Sequence, residues 1–555
     1  MTTKEILESY INYFKARGHA LTPNVSLVPS GDSTLLFTNS GMFPLVPYLS
    51  GEPHPLGKRI VNVQRAVRFD DLEVVGDNRH TTCFHMLGNW SLGDYFKSEQ
   101  LPWIWDFLIQ DLHLDVNRLY ATVFAGDAFS PRDEESIRLI KAIYQKYGVE
   151  AREGERIFAY AGNWWKRGDA VGELGGPDSE IFYYIGDGDG IGQNPEDNED
   201  EFIEIGNSVF MQFKKTVDGW EELSQKNIDF GGGLERLAMV VQGAKDIFET
   251  DSFWPIIETL QEVSDIDYQS EAKDSVPKRA MRILADHIRA VVFMAMDGVT
   301  PSNKDQGYVM RRYLRRIVRF ARKLGIKNAI AGQLVPAVAE MFAWMYPGLV
   351  GKQTDLIGIF NEEEEKFGQT LVRAYSVVEK KLAGFVGGSD ELAQIAFDLF
   401  QSVGYPSEML LEEARDRGFD VTENDFMMAY KEYFANHQAG SRQGAEQKFK
   451  GGLADHSEQV TKYHTATHLL HWALREVLGE SVIQHGSNIT GERLRFDFNY
   501  EEKLTDDQVL KVEELVNEQI KKSLPVSFVM MQKEEAEKTG AIHAFNEKYP
   551  DEVKV

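Results

Sequence analysis

The 555-residue chain carries 60 Lys and Arg against 87 Asp and Glu, a formal charge of −27, which excludes a generally basic nucleic-acid coat protein. At roughly 100–200 residues per domain the length predicts several domains, and a composition that is 43% hydrophobic supplies each with a core. Cys83, the sole cysteine, excludes an intramolecular disulfide and a zinc site built on CxxC pairs; a thiol-poor chain with no apolar run of about 18 residues is expected in the cytoplasm, with no membrane span and no secretion signal.

Up to about Gly243 short β-type runs are broken by Gly, Pro and Asp, as in Ser33 to Asn39 and Phe202 to Phe213. In the second run Val209, Met211 and Phe213 alternate with Phe210 and Gln212, the period of a strand. Residues 1–243 therefore read as a mixed α+β domain. Within it Gly186 to Glu201 is rich in glycine and acid without the ligand spacing of an EF-hand, and reads as a solvated surface loop. Residues 244–440 change to long helical runs, including one with Glu362 to Glu365. Residues 441–555 form a third segment, entered through a polar, Gly-rich stretch from His437 to Gln459 that has the composition of a linker. This third segment predicts a helix opening at Thr461, a strand over Arg493 to Phe498 and a helix over Thr505 to Lys522.

Two stretches of the first domain concentrate chemistry. Gln64 to Asp94 brings Arg65, Arg68, Arg79, His80 and Phe84 into one strand–loop–strand segment, where guanidinium forks suit phosphate or carboxylate and a ring suits a purine face. The bland alternative is a surface salt-bridge network. Ile228 to Arg236 (IDFGGGLER) predicts a strand ending at Asp229, glycines 231 to 233 that let the backbone approach a ligand, and a helix with Leu234, Leu237, Ala238 and Val241 on one face. A glycine turn opening a helix favours anions, although it also serves as a plain packing turn.

Taken in order, SLVPSGDSTLLFTNSGM, QRAVR, CFHMLGNWSLGDYF, EIGNSVFMQF and DFGGGLER resemble the catalytic domain of the alanyl-tRNA synthetases, a class II aminoacyl-tRNA synthetase family. The resemblance runs over nearly the whole chain. It implies an antiparallel sheet flanked by helices, followed by a mainly helical tRNA-recognition domain and an incomplete α+β editing domain. That accords with the absence of a GxGxxG fingerprint and of a P-loop.

The resemblance also implies roles. Arg68 matches the arginine that binds the α-phosphate, Phe84 the aromatic that stacks on adenine, and Arg236 the arginine at the nucleotide phosphates. Asp229 takes the place of the carboxylate that pairs with the substrate ammonium, while Trp165, Asn207, Val209 and Gly231 fall at amino-acid-pocket positions. The implied reaction is ATP-dependent activation of L-alanine with Mg²⁺ at the phosphates, then transfer to tRNA(Ala), with no covalent nucleophile. Three departures stand out. The chain passes directly from Arg68 to FDDLE without the lysine-bearing insert of many relatives. His85 stands where glutamate is usual, and Cys83 replaces a phenylalanine.

Between Tyr308 and Lys323 lie seven basic residues and no acid: Arg311, Arg312, Arg315, Arg316, Arg319, Arg322 and Lys323. Helical spacing leaves Val309, Ile317, Phe320 and Leu324 for packing and predicts a positive stripe suited to an RNA backbone, against the alternative of a helix paired with acidic neighbours. By resemblance Asn303 reads the acceptor-stem wobble pair, and Glu408 stands where aspartate is common.

In the third segment His464 and His468 lie four apart on one helix face, a spacing that can present two imidazoles to one metal ion. By resemblance they are the first half of an editing-domain Zn²⁺ site, with Gln484 in the same pocket. The second half, a Cys and a His in a CGGTH-like run, is not in the sequence. The expectation is a truncated sequence, a fragmentary gene or a split enzyme completed by a second chain. The segment joining tRNA-recognition and editing domains is also too short for the usual intervening β-barrel. Editing would matter because a methyl-sized pocket rejects glycine and serine only weakly. Two other readings stay open: a catalytically inactive tRNA-binding paralogue, and a tRNA deacylase.

Overall fold

The computed structural model describes residues 1–29, 35–448, 457–489, 493–500, 504–539 and 552–555, in two compact units, 1–380 and 381–555. Part of the Ser33 to Asn39 run therefore lies outside the described residues. Among those described, no helix is long and apolar enough to cross a membrane.

The first unit is built on a nine-stranded sheet. Its strands are β1 (Ala20–Leu21), β2 (Arg59–Val67), β3 (Cys83–Leu92), β4 (Leu119–Phe124), β5 (Ile157–Tyr160), β6 (Trp164–Lys166), β7 (Leu174–Tyr184), β8 (Phe202–Thr216) and β9 (Gly219–Gly233). They run in the order β1-β2-β3-β9-β8-β7-β4-β5, with β6 paired to β7. Every pairing is antiparallel except β1 with β2 and β4 with β5. This is the antiparallel sheet with flanking helices that the sequence predicts. The β8–β9 hairpin closes with Thr216 opposite Gly219, and Gly219 takes a φ of +133° that a side chain would resist.

The strand predicted to end at Asp229 continues to Gly233. Gly231, Gly232 and Gly233 pair with Gly88, Leu87 and Met86, and the helix Leu234–Val241 starts at once. Three glycines cannot contribute side-chain packing, but here β3 supplies a ladder partner for all three and β8 one for Gly231.

The helices beyond residue 243 do not form a separate core in this unit. Val276–Met296 is buried on nearly every face, as expected of a helix enclosed by protein. Ile283, Ile288 and Val291 share one apolar cluster with Val67, Cys83 and Leu87 of the sheet and with Leu314 and Ile317 of the helix Asp305–Lys323. The Glu362 to Glu365 run lies on Gly348–Leu382, where buried Glu364 accepts from the backbone N–H groups of Ile330 and Ala331 at 3.1 and 2.9 Å, capping Ala331–Met341.

The second unit holds the helices Ser389–Val403, Ser407–Asp416, Glu423–Lys448 and Glu458–Leu478, the hairpin Gln484–Ile489 with Leu494–Phe498, and the helix Asp506–Lys521. The first part of the predicted linker is thus helical to Lys448, and residues 449–456 lie outside the described set. The helix expected at Thr461 opens at Glu458 because the Ser457 side chain caps it. Thr505 and Gln508 form a reciprocal capping box that starts Asp506–Lys521. A small core of Ala473, Leu474, Val482 and Val512 holds this part together.

Candidate active site

The registers of β7, β8, β9 and β3 place Asp178, Val209, Asp229 and Trp90 on one line across the sheet, and Glu180, Asn207, Gly231 and Gly88 on the next. Directly opposed residues share a face, as do residues two apart on a strand, so these eight positions form one surface. Val209 is its apolar floor, only 4% exposed, with a carboxylate on either side.

The Trp90 indole Nε1 donates to Asp229 Oδ1 at 2.7 Å, the one side-chain hydrogen bond that Asp229 receives among the described residues. The ring lies over Gly88, where a Cβ would stand 2.0 Å from it, so this glycine is required. A Cβ on Gly231 would come 3.1 Å from Met86 Sδ, which keeps the surface low beside Asn207. Burial pushes the Asp229 carboxyl up to about 7 despite the indole bond. Burial raises Asp178 to about 7 as well, with Asn163 and Asn207 hydrogen bonds opposing and the Glu180 and Glu204 charges reinforcing. Two buried carboxyls this reluctant to ionise suit a cationic ligand, whose arrival lowers both. Trp165, on β6 opposite Gly176, packs against the small core that contains Met42, Leu45, Trp90 and Val209.

A cationic region adjoins this surface. Arg68 directly follows β2, is open to solvent, and carries its guanidinium 5.1 Å from the ring of Phe84 on β3. Its Nε donates to Asn39 O at 3.3 Å. Arg236 Nη1 donates to the backbone O and to Oε2 of Glu204 at 3.1 and 3.2 Å. Although Arg68 keeps an exposed surface, surrounding protein desolvates its guanidinium in part and holds it below its usual range, opposed by Glu204 and Asp71 and reinforced by Arg236, and the group stays cationic. An aromatic ring, two guanidinium groups and a buried carboxyl above an apolar floor can seat an adenine, a polyphosphate and an amino acid.

The model of the family described as "tRNA synthetases class II (A)" matches residues 5–520. The alanine–tRNA ligase of Treponema pallidum is 43% identical over 561 residues, covering 99% of this chain and 90% of that protein. That of Treponema denticola is 44% identical over 568 residues, covering 100% and 92%. The chain belongs to the alanine–tRNA ligase family of class II synthetases. The alanine–tRNA ligase of Bacillus subtilis is 34% identical over 679 aligned residues, covering 100% of this chain and 74% of that protein. Its alignment is longer than this chain, so that relative carries inserted segments this chain lacks.

Of the arginine-rich segment, only Arg68 and Phe84 reach the site. Arg65 is buried, paired with Asp297 at 3.0 Å and stacked 4.6 Å from the Tyr346 ring. Arg79 donates to the backbone oxygens of Glu199, Asp200 and Phe202 and so braces the acidic loop. His80 pairs locally with Asp77 at 2.5 Å. His85 lies on the other face of β3 from Phe84 and Gly88. It lies 2.9 Å from Glu235 Oε1 and 3.0 Å from the Tyr346 hydroxyl, and Arg289 donates to the same Glu235 oxygen at 2.5 Å. Burial keeps the imidazole below its usual range while Arg289 and His85 outweigh burial at Glu235 and hold that acid ionised. The imidazole is thus absorbed into a closed network instead of entering the site.

The predicted positive stripe is largely engaged with acids. Arg312 and Arg316 hold Glu73 at 2.6 and 3.2 Å; Arg311 and Arg315 hold Glu363 at 2.9 and 3.5 Å. Arg316 is buried against His287, 2.9 Å away, and does not offer its charge to an RNA backbone. Four of the seven bases thus find their acids on distant segments and not beside them in the sequence. Asn303 is exposed and accepts from Arg311. Glu408, in the second unit, accepts from its neighbour Ser407 at 3.2 Å.

His464 and His468 do meet, with ring centroids 5.0 Å apart. Among the described residues no group of three or more His, Cys, Asp or Glu gathers for a metal ion, so the described donors fall short of the three protein ligands a zinc site needs. Gln484 opens the short hairpin opposite Phe498.

Sequence reasoning passed over Glu204, Asp178 and Trp90. Glu204 carried a usable signal, an acid within the apolar strand run FIEIGNSVF. Asp178 did not, since its Gly-Gly-Pro-Asp context reads as a turn.

Proposed function

We propose that this chain activates L-alanine with ATP to alanyl-adenylate and transfers the alanyl group to tRNA(Ala). The observation that carries the reading is Asp229, a buried carboxyl served among the described residues by the Trp90 indole alone, beside a Val209 floor and next to Asn207 and Gly231. In this reading Asp229 takes the substrate ammonium, Val209, Trp165 and Gly231 bound the methyl group, and Phe84 stacks on adenine. Arg68 bridges the α-phosphate and the alanine carboxylate, and Arg236 binds the leaving phosphates.

An alanine carboxylate oxygen forms a bond to the α-phosphorus as the bond to pyrophosphate breaks, and pyrophosphate leaves with the electron pair. The arginines offset charge that grows on the phosphate oxygens, and the rigid sheet holds the reactants in line. In the second half a ribose hydroxyl at the tRNA 3′ end attacks the alanyl carbonyl and AMP departs. Glu204, hydrogen-bonded to Arg236, would be the carboxylate that holds Mg²⁺, an ion that prefers hard oxygen donors. Bound there, the ion offsets polyphosphate charge.

For RNA, the partly exposed Arg311, Arg312 and Arg315 with Asn303 are the proposed contacts in the first unit and Glu408 in the second; Arg316 is not among them. No editing step is assigned to His464 and His468. The test is alanine-dependent ATP–pyrophosphate exchange without tRNA, with serine and glycine as controls, followed by charging of tRNA(Ala). Exchange stimulated by alanine supports the reading. ATP binding without any amino-acid-dependent exchange overturns it in favour of a non-catalytic paralogue.

A further inference from the structure

Away from the residues of the alanine and ATP site, five stretches of chain between Asn78 and Arg282 enclose a cavity of about 340 Å³. Small-molecule sites begin at about that size. Most of the polar groups on its wall are already engaged. The Arg282 guanidinium donates to Asp246 Oδ2 at 2.6 Å, to the Tyr268 hydroxyl at 2.8 Å, and to the backbone oxygens of Gly76 and Lys273 at 3.1 Å. Asn78 Nδ2 donates to Lys245 O at 2.6 Å, and the Tyr184 hydroxyl donates to Glu201 Oε2 at 2.9 Å.

Two charged groups on the wall are not engaged in this way. Lys278 is only 8% exposed, yet among the described residues its ammonium has no hydrogen bond and no ion pair, and it stands 4.4 Å from the centre of the Tyr268 ring. Burying an ammonium without an anionic partner is costly, and in the first turn of Val276–Met296 the helix dipole opposes a cation as well. Lys278 Nζ is not among the sealed polar atoms, so the small surface it keeps opens on the cavity that Lys278 lines. The second group is Glu249, whose carboxylate accepts no hydrogen bond among the described residues. Burial raises that carboxyl, with the Asp246 charge adding and Lys278 and Arg282 opposing. The Lys278 and Glu249 charges thus feel one another across the cavity wall without pairing.

We propose that this cavity is a second small-molecule site, which takes a compact zwitterion of the aminocarboxylate class, its carboxylate on Lys278 and its ammonium on Glu249. The balance of charge selects the class. With Asp200, Lys245 and Lys273 the wall carries four cations and four acids, so a bare anion would be opposed by Glu249 and a bare cation by Lys278, whereas a ligand with both charges satisfies both groups. The inference is independent of the alanine-activation reading, because it concerns none of the residues assigned to that reaction.

The test is calorimetric binding to the full chain. The probes are L-glutamine and 4-aminobutyrate, zwitterions whose two charges are separated by one carbon and by three; butyrate and butylamine each carry one charge alone. At least one zwitterion is expected to bind, and Lys278→Met and Glu249→Gln are each expected to weaken it about tenfold, the size of one hydrogen bond to a charged group. Butyrate and butylamine are expected to bind about tenfold more weakly than the zwitterion. Asp229→Asn, which alters the alanine pocket, is expected to leave binding within about twofold. Without any probe, Lys278→Met is expected to melt no lower than the unaltered protein, since it removes a buried ammonium that lacks an anionic partner.

Binding of neither zwitterion, binding indifferent to Lys278→Met and Glu249→Gln, or binding lost in Asp229→Asn would overturn the inference. So would butyrate bound as tightly as the zwitterion, which would make this a plain anion site. A Lys278→Met protein that melts well below the unaltered one, or fails to fold, would make the ammonium a structural group held by the Tyr268 ring and overturn it equally.

Discussion

Replacing Asp229 by asparagine should stabilise the protein while disabling it. Burial raises the carboxyl from 3.8 to about 7, and at about 1.4 kcal/mol per unit the ionised form costs at most ~4 kcal/mol in the folded state. The sign follows from proton binding. Between about pH 4 and 7 the folded chain holds a proton that the unfolded chain releases, so stability falls as pH rises, and the full cost is present above about 7. Asparagine cannot ionise, yet its Oδ1 can still accept from Trp90 Nε1. At pH 8.5 Asp229→Asn should be more stable by about 2–4 kcal/mol, and near pH 4 the advantage should vanish. Thermal melting of both proteins from pH 4 to 8.5 reads the difference as a gap that opens with pH. Pyrophosphate exchange should meanwhile lose about 10²–10³ in kcat/KM for alanine, because the ammonium loses its anionic partner. A melting difference that is flat with pH, or an unchanged KM for alanine, would refute the assignment of a reluctantly ionised carboxyl at this position.

Related outcomes can be measured alongside. In the unaltered protein the KM for alanine should fall about tenfold between pH 6 and 8, as Asp229 passes from about one-tenth to about nine-tenths ionised; Asp229→Asn should remove that slope. Arg236→Ala should cost about 10²–10³ in kcat for exchange, the usual effect of removing one preorganised charge-stabilising donor, with little change in melting temperature because Arg236 is half-exposed. Gly88→Ala drives a methyl group into the Trp90 indole and should destabilise by about 1–3 kcal/mol in urea titration while raising the KM for alanine through displacement of the Asp229 partner. Glu73→Gln should lower stability by about 2 kcal/mol, since Arg316 is buried and loses an anionic partner, and charging of tRNA should fall with it more than pyrophosphate exchange does.

By itself the sequence determined the class of fold and the ordered set of reactive segments. Strand alternation, caps and glycine turns are local signals, and they placed β8, the helix after Gly233 and the helix from Thr505 close to where they stand. What the tertiary structure decided is which charged residues belong to the site. Arg65 and Arg68 look alike in the sequence, but Arg65 is claimed by Asp297, which comes from a helix end more than 200 residues away, while Arg68 stays open beside Phe84. The arginine helix read as a phosphate-binding stripe because its acids, Glu73 and Glu363, arrive from other elements. Asp178 carries no signal in its Gly-Gly-Pro-Asp context, and strand register alone sets it across Val209 from Asp229. A side chain's partner is fixed by long-range pairing, which a local pattern does not carry, and a charge acquires its role from that partner.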